Sequence, residues 1–309
     1  MISVPFALYN AFSDVTFGGS QAAIVSNVNW LDADTRQKIA TEIGVPATGF
    51  ITACDGKSVS VHFHSTLTEY PMCGHGTICL MSRLVEQDIL KWHGQNRIDV
   101  NLCMPTSVAT VEIYNHNEGH PKVFLDIKPP SFHQDSLDLE HLMNLLGLEK
   151  NDCSDEWPVE TASGDFVHLI VPLKNLEVMR RIEPNFTGLT QFWHEFGIQT
   201  VAVFCIETEH PDSTLHVRDF CPAVGVAESA AAGTTNSALT SYLVRFGIVK
   251  PDVDGLIKVK AEQGCEIGRT SSIHSIVSML GEKISRLQVG GVATKVIDGS
   301  LHLPSPFKK

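Results

Sequence analysis

The chain has 309 residues, 43% hydrophobic and 19% charged, which reads as a soluble globular protein long enough for two domains of ordinary size. A net charge of −12 with no concentrated basic stretch argues against a nucleic-acid partner and an anionic membrane surface. The eight cysteines form no Cys-x-x-Cys pair or disulfide-like spacing, Met1-Ile2-Ser3-Val4-Pro5 begins no signal peptide, and no apolar stretch is long enough to span a bilayer, so a cytoplasmic location is expected.

Strand-like segments alternate with short helices from the start. Phe6 to Phe12 and Ala22 to Val25 read as strands around the turn Phe17-Gly18-Gly19-Ser20, and Ala33 to Ile43 as a helix after Asp32. Thr48 to Ala53 and Ser58 to His64 form a hairpin pattern around Asp55-Gly56, and Gly76 to Glu86 is an apolar helix. Arg97 to Leu102, Val108 to Tyr114 and Val123 to Ile127 are predicted strands, with a polar turn at Asn115-His116-Asn117-Glu118-Gly119 between the last two. Beyond the linker Lys128-Pro129-Pro130, helices are expected at Leu137 to Leu146, Leu189 to Phe196 and Ser237 to Phe246, and strands at Val201 to Ile206 and Leu215 to Phe220. The tail reads as strands at Ile273 to Leu280, Ile284 to Val289, Ala293 to Ile297 and Leu301 to Leu303. Apolar side chains surround most of the first central helix (Ile78, Cys79, Leu80, Met81, Leu84, Val85) and recur in the second, so each suits a sheet curled around it. No Gly-x-Gly-x-x-Gly turn or phosphate-binding loop is present.

The segment Tyr70-Pro71-Met72-Cys73-Gly74-His75-Gly76-Thr77 carries the chemistry. A thiol, an imidazole and two glycines meet where a strand gives way to a helix, and helix-opening N–H groups stabilise a carboxylate or enolate there. Such a place is expected to lower the thiol's pKa. The second half repeats the plan, with Leu215 to Phe220, a loop, Ala232-Gly233-Thr234-Thr235 and a helix. Two halves facing each other would form a cleft with a helix opening on each side. The plainer alternatives are a buried packing role for Cys73, a capping role for His75 and an ordinary loop carboxylate for Glu228. His62 and His64 alternate on one strand, but no third ligand at a suitable spacing completes a metal site.

These segments, in this order, resemble the phenazine-biosynthesis isomerase-like family, part of the diaminopimelate epimerase and proline racemase superfamily. Phe17 to Ala23 is similar to its "FxGNPAAV" turn, and Glu69 to Thr77 to its "ExPxCGHAT" signature. Arg218 to Thr234 is similar to "RxFxPxxGVxEDPxTGS", and Glu262 to Arg269 and Val289-Gly290-Gly291 resemble the tail segments. The resemblance implies an α+β fold of two similar domains, 1–127 and 128–309, each a barrel-like, mostly antiparallel sheet around a central helix, with the last strands able to complete the first domain. It implies a homodimer, no organic cofactor or metal, and proton transfer on a small carboxylate.

Four positions depart from the pattern. The acid/base glutamate of the phenazine isomerase falls on Ala47, which has no proton to give. Ser229 stands for the signature aspartate, Ser20 for the asparagine of the first turn, and Ala232 where two-thiol racemases carry a second cysteine. The expected catalytic residues are therefore Cys73, His75 and Glu228, and the expected substrate-binding residues Ser20, Gly74, Gly76, Ser229, Gly233 and Thr234. Isomerisation is the leading reading; a dehydratase of a hydroxy amino acid, or a silent binding protein explained by Ala47, are the alternatives.

Overall fold

The computed structural model describes residues 1–116 and 120–303. Residues 117–119 of the turn expected at Asn115–Gly119 lie outside them. The elements run in the order β1 (Ile2–Ala11), β2 (Ser20–Val25), α1 (Ala33–Ile43), β3 (Ala47–Cys54), β4 (Ser58–His64), β5 (Glu69–Tyr70), α2 (Gly74–Glu86), β6 (Arg97–Met104), β7 (Ser107–Tyr114) and β8 (Lys122–Asp126). The chain continues through β9 (Ser131–His133), α3 (Leu139–Leu145), β10 (Glu160–Ser163), β11 (Val167–Pro172), α4 (Leu176–Arg181), α5 (Phe186–Phe196), β12 (Thr200–Cys205) and β13 (Leu215–Cys221). It ends with β14 (Val226–Glu228), α6 (Gly233–Arg245), β15 (Leu256–Gln263), β16 (Ser271–Leu280), β17 (Lys283–Gly291) and β18 (Ala293–Leu303).

Two compact units result: Met1–Asp126 joined by the chain from Gly290 onward, and Ile127–Val289. In the first, β1 lies antiparallel between β18 and β2, with Ile2 opposite Leu303 and Ala11 opposite Ala293. The final strand is one continuous element rather than two, and it groups with the first unit. The sheet goes on with β3 parallel to β2, β4 antiparallel to β3, β6 parallel to β4, and β7 and β8 antiparallel. The turn before β2 requires glycine: Gly19 has φ +67°, and a Cβ there would sit 2.1 Å from the Ala11 carbonyl oxygen. α1 is capped by the Asp32 side chain on the Thr35 N–H and packs Ile39 and Ala40 on Val25 and Phe50.

α2 is buried at every position from Gly76 through Leu84, as an apolar helix enclosed by sheet must be. It begins at Gly74, two residues earlier than the apolar pattern suggests, because the pattern cannot register the small residues of its first turn.

The second unit repeats this plan. β10 and β11 are antiparallel, β12 is parallel to β11, β13 antiparallel to β12, β15 parallel to β13, and β16 antiparallel to β15. α6 takes the place of α2, with every residue from Thr235 through Leu243 buried. Helices α3, α4 and α5 cover the outer face, where Leu142, Met179, Leu189 and Trp193 meet Leu169, Val171, Val201, Val203 and Phe220. Strand alternation then turns His168, Thr200 and Asp219 inward, towards α6.

Candidate active site

The first candidate centre lies at the start of α2. Cys73 is the N-cap, with φ −143° and ψ 107°, and no side chain caps the helix. The N–H groups of Gly74 and His75 therefore have no partner within the helix, the arrangement that receives an anion. The Thr77 N–H and hydroxyl both bond the Cys73 carbonyl, at 2.9 and 2.8 Å, which fixes the N-cap backbone. The two glycines have different surroundings. A Cβ on Gly74 would meet no atom within 4 Å, whereas one on Gly76 would lie 2.8 Å from Phe63 Cε1 and 3.1 Å from Cys73 Sγ. Gly74 leaves space over the helix opening, and Gly76 lets the Phe63 ring and the thiol close on the helix.

Cys73 and His75 are brought together, with Sγ 3.6 Å from Nδ1 and 3.8 Å from Nε2. The expected low thiol pKa is not found. Burial pushes the Cys73 thiol up to about 12 against the pull of the Gly76 N–H, and burial pushes the mostly buried His75 down to about 4. Desolvation outweighs the helix opening, so at neutral pH the pair is a thiol beside an uncharged imidazole. Ser20 opens β2 opposite Ala11. Ala47 opens β3 opposite Ala22 and is fully buried.

His62 binds Glu69 at 2.6 Å and His64 binds Gln37 at 3.0 Å. Among the described residues no three His, Cys, Asp or Glu side chains are gathered to hold a metal ion.

The second centre lies at the start of α6. Ala232 is the N-cap, with φ −132° and ψ 113°, close to the angles at Cys73, and this helix too lacks a side-chain cap. Gly233 and Thr234 thus occupy the positions of Gly74 and His75. The Ser229 N–H donates to the Asp219 carbonyl at 2.9 Å, and Gln263 Nε2 donates to the Ser229 carbonyl at 2.7 Å, which anchors the loop. Glu228 is not a free base. Its two oxygens accept from Arg218 Nε and Nη2, each at 2.9 Å, and both side chains are 7% exposed. Arg218 also donates to the Met179 carbonyl at 3.1 Å, so Glu228 is held in a buried, hydrogen-bonded ion pair.

Sequence reasoning passed over the buried carboxyl beside this pair. Asp219 is 1% exposed; its Oδ2 accepts from the Thr235 hydroxyl at 2.9 Å, and its Oδ1 has no partner. Burial raises its pKa to about 7 against the Thr235 and Thr200 hydroxyls, with Glu228 adding to the rise. The signal was present: an aspartate inside the strand Leu215–Cys221 at an inward-turning position is unfavourable without a partner or a purpose. His168, Nδ1 2.7 Å from Thr200 Oγ1, is pushed down to about 4 by burial.

A separate charged cluster braces the strands nearby. His216 bonds Glu262 at 2.7 Å and Glu266 at 2.8 Å, and Glu262 also accepts from the Glu209 and His210 N–H groups. Burial opposes the His216 charge, but the two carboxylates raise its pKa to about 9.

Comparison with known proteins places the chain. An uncharacterised isomerase of Clostridium acetobutylicum is 25% identical over 299 residues, covering 95% of this chain and 96% of that protein. The trans-2,3-dihydro-3-hydroxyanthranilate isomerase of Pseudomonas fluorescens is 23% identical, covering 93% and 95% of the two chains. The crystal structure of a Bacillus anthracis phenazine biosynthesis protein of the PhzF family superposes with a TM-score of 0.88 at 24% identity, over 98% of this chain and all of that one. The sequence profile of the phenazine biosynthesis-like proteins matches residues 9–299, and the chain belongs to that family.

Proposed function

We propose that this protein is a cofactor-independent isomerase that shifts a proton on a small carboxylate bound at its helix openings. The observation that carries the reading is the uncapped start of α2, where free N–H groups, an open space over Gly74, a protonated thiol and an uncharged imidazole converge. The isomerase names of the relatives over nearly their whole lengths support it. The Gly74 and His75 N–H groups hold the substrate's negative charge, and its growth in an enolate-like state strengthens those bonds. The uncharged His75 takes the proton that leaves the substrate carbon, Cys73 gives its own to the new carbon, and the imidazolium returns a proton to the thiolate across the 3.6 Å between Nδ1 and Sγ. Gly233 and Thr234 offer the corresponding groups in the second unit, and Ser20 and Ser229 are assigned to hold substrate oxygens. Glu228 is assigned to brace Arg218 rather than to exchange protons.

One observation favours a second reading. Ala47 fills the acid/base position with a buried methyl, which suits a protein that binds a carboxylate without turning it over. Both are tested by incubating the protein in D₂O with small carboxylates. Deuterium entering a carbon position supports isomerase chemistry, and ligand-induced thermal stabilisation without exchange supports binding alone.

A further inference from the structure

In each unit the carbonyl of the helix N-cap is held twice, from the same helical position but by different chemistry. In the first, the Cys73 carbonyl accepts from the Thr77 N–H at 2.9 Å and from the Thr77 hydroxyl at 2.8 Å. In the second, the Ala232 carbonyl accepts from the Asn236 N–H at 3.1 Å and from Asn236 Nδ2 at 2.9 Å. The other Nδ2 proton goes to Gln263 Oε1 at 2.8 Å. Thr77 and Asn236 are each the fourth residue of their helix and are 0% and 2% exposed. The backbone bond alone is what any α-helix makes at this place. The side-chain bond is an addition that helix stability does not explain. A hydroxyl folded back onto the carbonyl one turn earlier is neutral to slightly unfavourable, and threonine and asparagine are both poorer helix formers than alanine. Two unlike side chains making one bond at matching positions point to a use for the bond itself.

That use follows from the peptide group. The Cys73 carbonyl and the Gly74 N–H belong to one planar, trans unit, so they point in opposite directions and turn together. A carbonyl pinned along the helix by two donors aims the Gly74 N–H outward, to the place assigned to the substrate's charge. One donor leaves the plane free to rock about that bond, whereas two fix it. Each bond the carbonyl accepts also draws electrons from the amide nitrogen and makes its N–H a stronger donor, by about 10–30% per bond. The space over Gly74, where a Cβ would meet no atom within 4 Å, leaves room for the group this N–H faces.

We propose that Thr77 is a positioning residue of the α2 opening, whose hydroxyl acts through the Cys73–Gly74 peptide to aim and strengthen the Gly74 N–H that holds the enolate-like state. The assignment rests on the isomerase reading above. Thr77 is fully buried and meets no substrate, and no proton passes through it.

Thr77→Val keeps the branched shape of the side chain and removes the hydroxyl. The Cys73 carbonyl keeps its backbone donor, so no buried polar group is orphaned and the variant should fold. Thr77→Ser keeps the hydroxyl. Both are compared with the wild type in D₂O exchange on whichever of proline, the hydroxyprolines, diaminopimelate and trans-2,3-dihydro-3-hydroxyanthranilate the wild type turns over. Thermal melting and the ¹⁵N resonance of Gly74 are recorded for each protein. Thr77→Val should lose about tenfold or more in kcat with KM within about threefold, because the bond acts on charge that grows only in the transition state. Thr77→Ser should retain most of the rate. The Gly74 ¹⁵N resonance should move upfield in Thr77→Val and stay in place in Thr77→Ser, since it follows hydrogen bonding at the preceding carbonyl. A wild-type kcat in Thr77→Val overturns the assignment and leaves the isomerase reading standing. Equal losses of rate in both variants, tracking their melting temperatures, overturn it too by making the side chain a packing residue. A wild type that exchanges none of these compounds ends the isomerase reading and the assignment with it.

Discussion

Gly74→Ala and Gly76→Ala separate binding from packing within one turn of α2. The methyl at position 74 meets nothing within 4 Å and needs no unusual backbone angle, so alanine should leave stability unchanged or raise it by about 0.5–1 kcal/mol through the unfolded chain. That methyl nevertheless projects into the space above the free N–H groups. Loss of that cradle should reduce turnover by about two orders of magnitude, equivalent to about 3 kcal/mol of transition-state stabilisation. At position 76 the new carbon lies 2.8 and 3.0 Å from two atoms of Phe63, a ring only 1% exposed and unable to swing away. Overpacking there should cost about 1–3 kcal/mol. Urea unfolding and D₂O exchange on both variants read the two effects. If Gly74→Ala turned over at the wild-type rate, the α2 opening would not be where the charge of the substrate sits.

His216 makes stability depend on alkaline pH: its pKa rises from 6.5 unfolded to about 9 folded, so its contribution is complete below pH 6.5 and lost as pH climbs through 9. At about 1.36 kcal/mol per pH unit that is about 3 kcal/mol, and His216→Gln should flatten the difference in urea midpoint between pH 6.5 and 9.5. Glu228→Gln should destabilise by no more than about 3–5 kcal/mol, because the buried Arg218 loses its bidentate partner and keeps only Glu266 Oε2, 4.0 Å from its Nε, a loss readable by chemical denaturation. Unchanged stability with abolished exchange would instead make Glu228 the base. Iodoacetamide at pH 7.5 should label exposed Cys54 rapidly and native Cys73 hardly at all, since Cys73 is buried and its thiol is protonated. Equal rates by mass spectrometry would contradict the desolvated thiol. Sedimentation at micromolar concentration tests the expected homodimer.

The fold was legible wherever pattern and punctuation agreed. Asp32 before Ala33 and the αL Gly44 after Ile43 mark the two ends of α1, and both caps form. The apolar surroundings of α2 foretold its burial. β11 and β15 escaped notice: Val167–Pro172 carries His168 within its apolar run, and Leu256–Gln263 alternates with lysines that face outward. Cys73 and His75 were visible because glycines flank them at a strand-to-helix junction. Asp219 was not, because its surroundings depend on the parallel pairing of β11 with β12, which brings His168 beside Thr200 across about thirty residues, and on the antiparallel pairing of β12 with β13. The Cys73 pKa was misjudged for the same reason, since desolvation depends on packing that a helix-start motif does not encode. Glu228 drew notice as an isolated carboxylate, and only the fold reveals Arg218 beside it.

The central claim is side-chain proton transfer on a small carboxylate. Proton NMR in D₂O with the intact protein and a panel of proline, hydroxyprolines, diaminopimelate and trans-2,3-dihydro-3-hydroxyanthranilate tests it most directly. The account predicts protein-dependent deuterium uptake at a carbon of at least one compound. A folded protein that binds one of them, raising its own melting temperature, yet exchanges no carbon-bound hydrogen in any would contradict it.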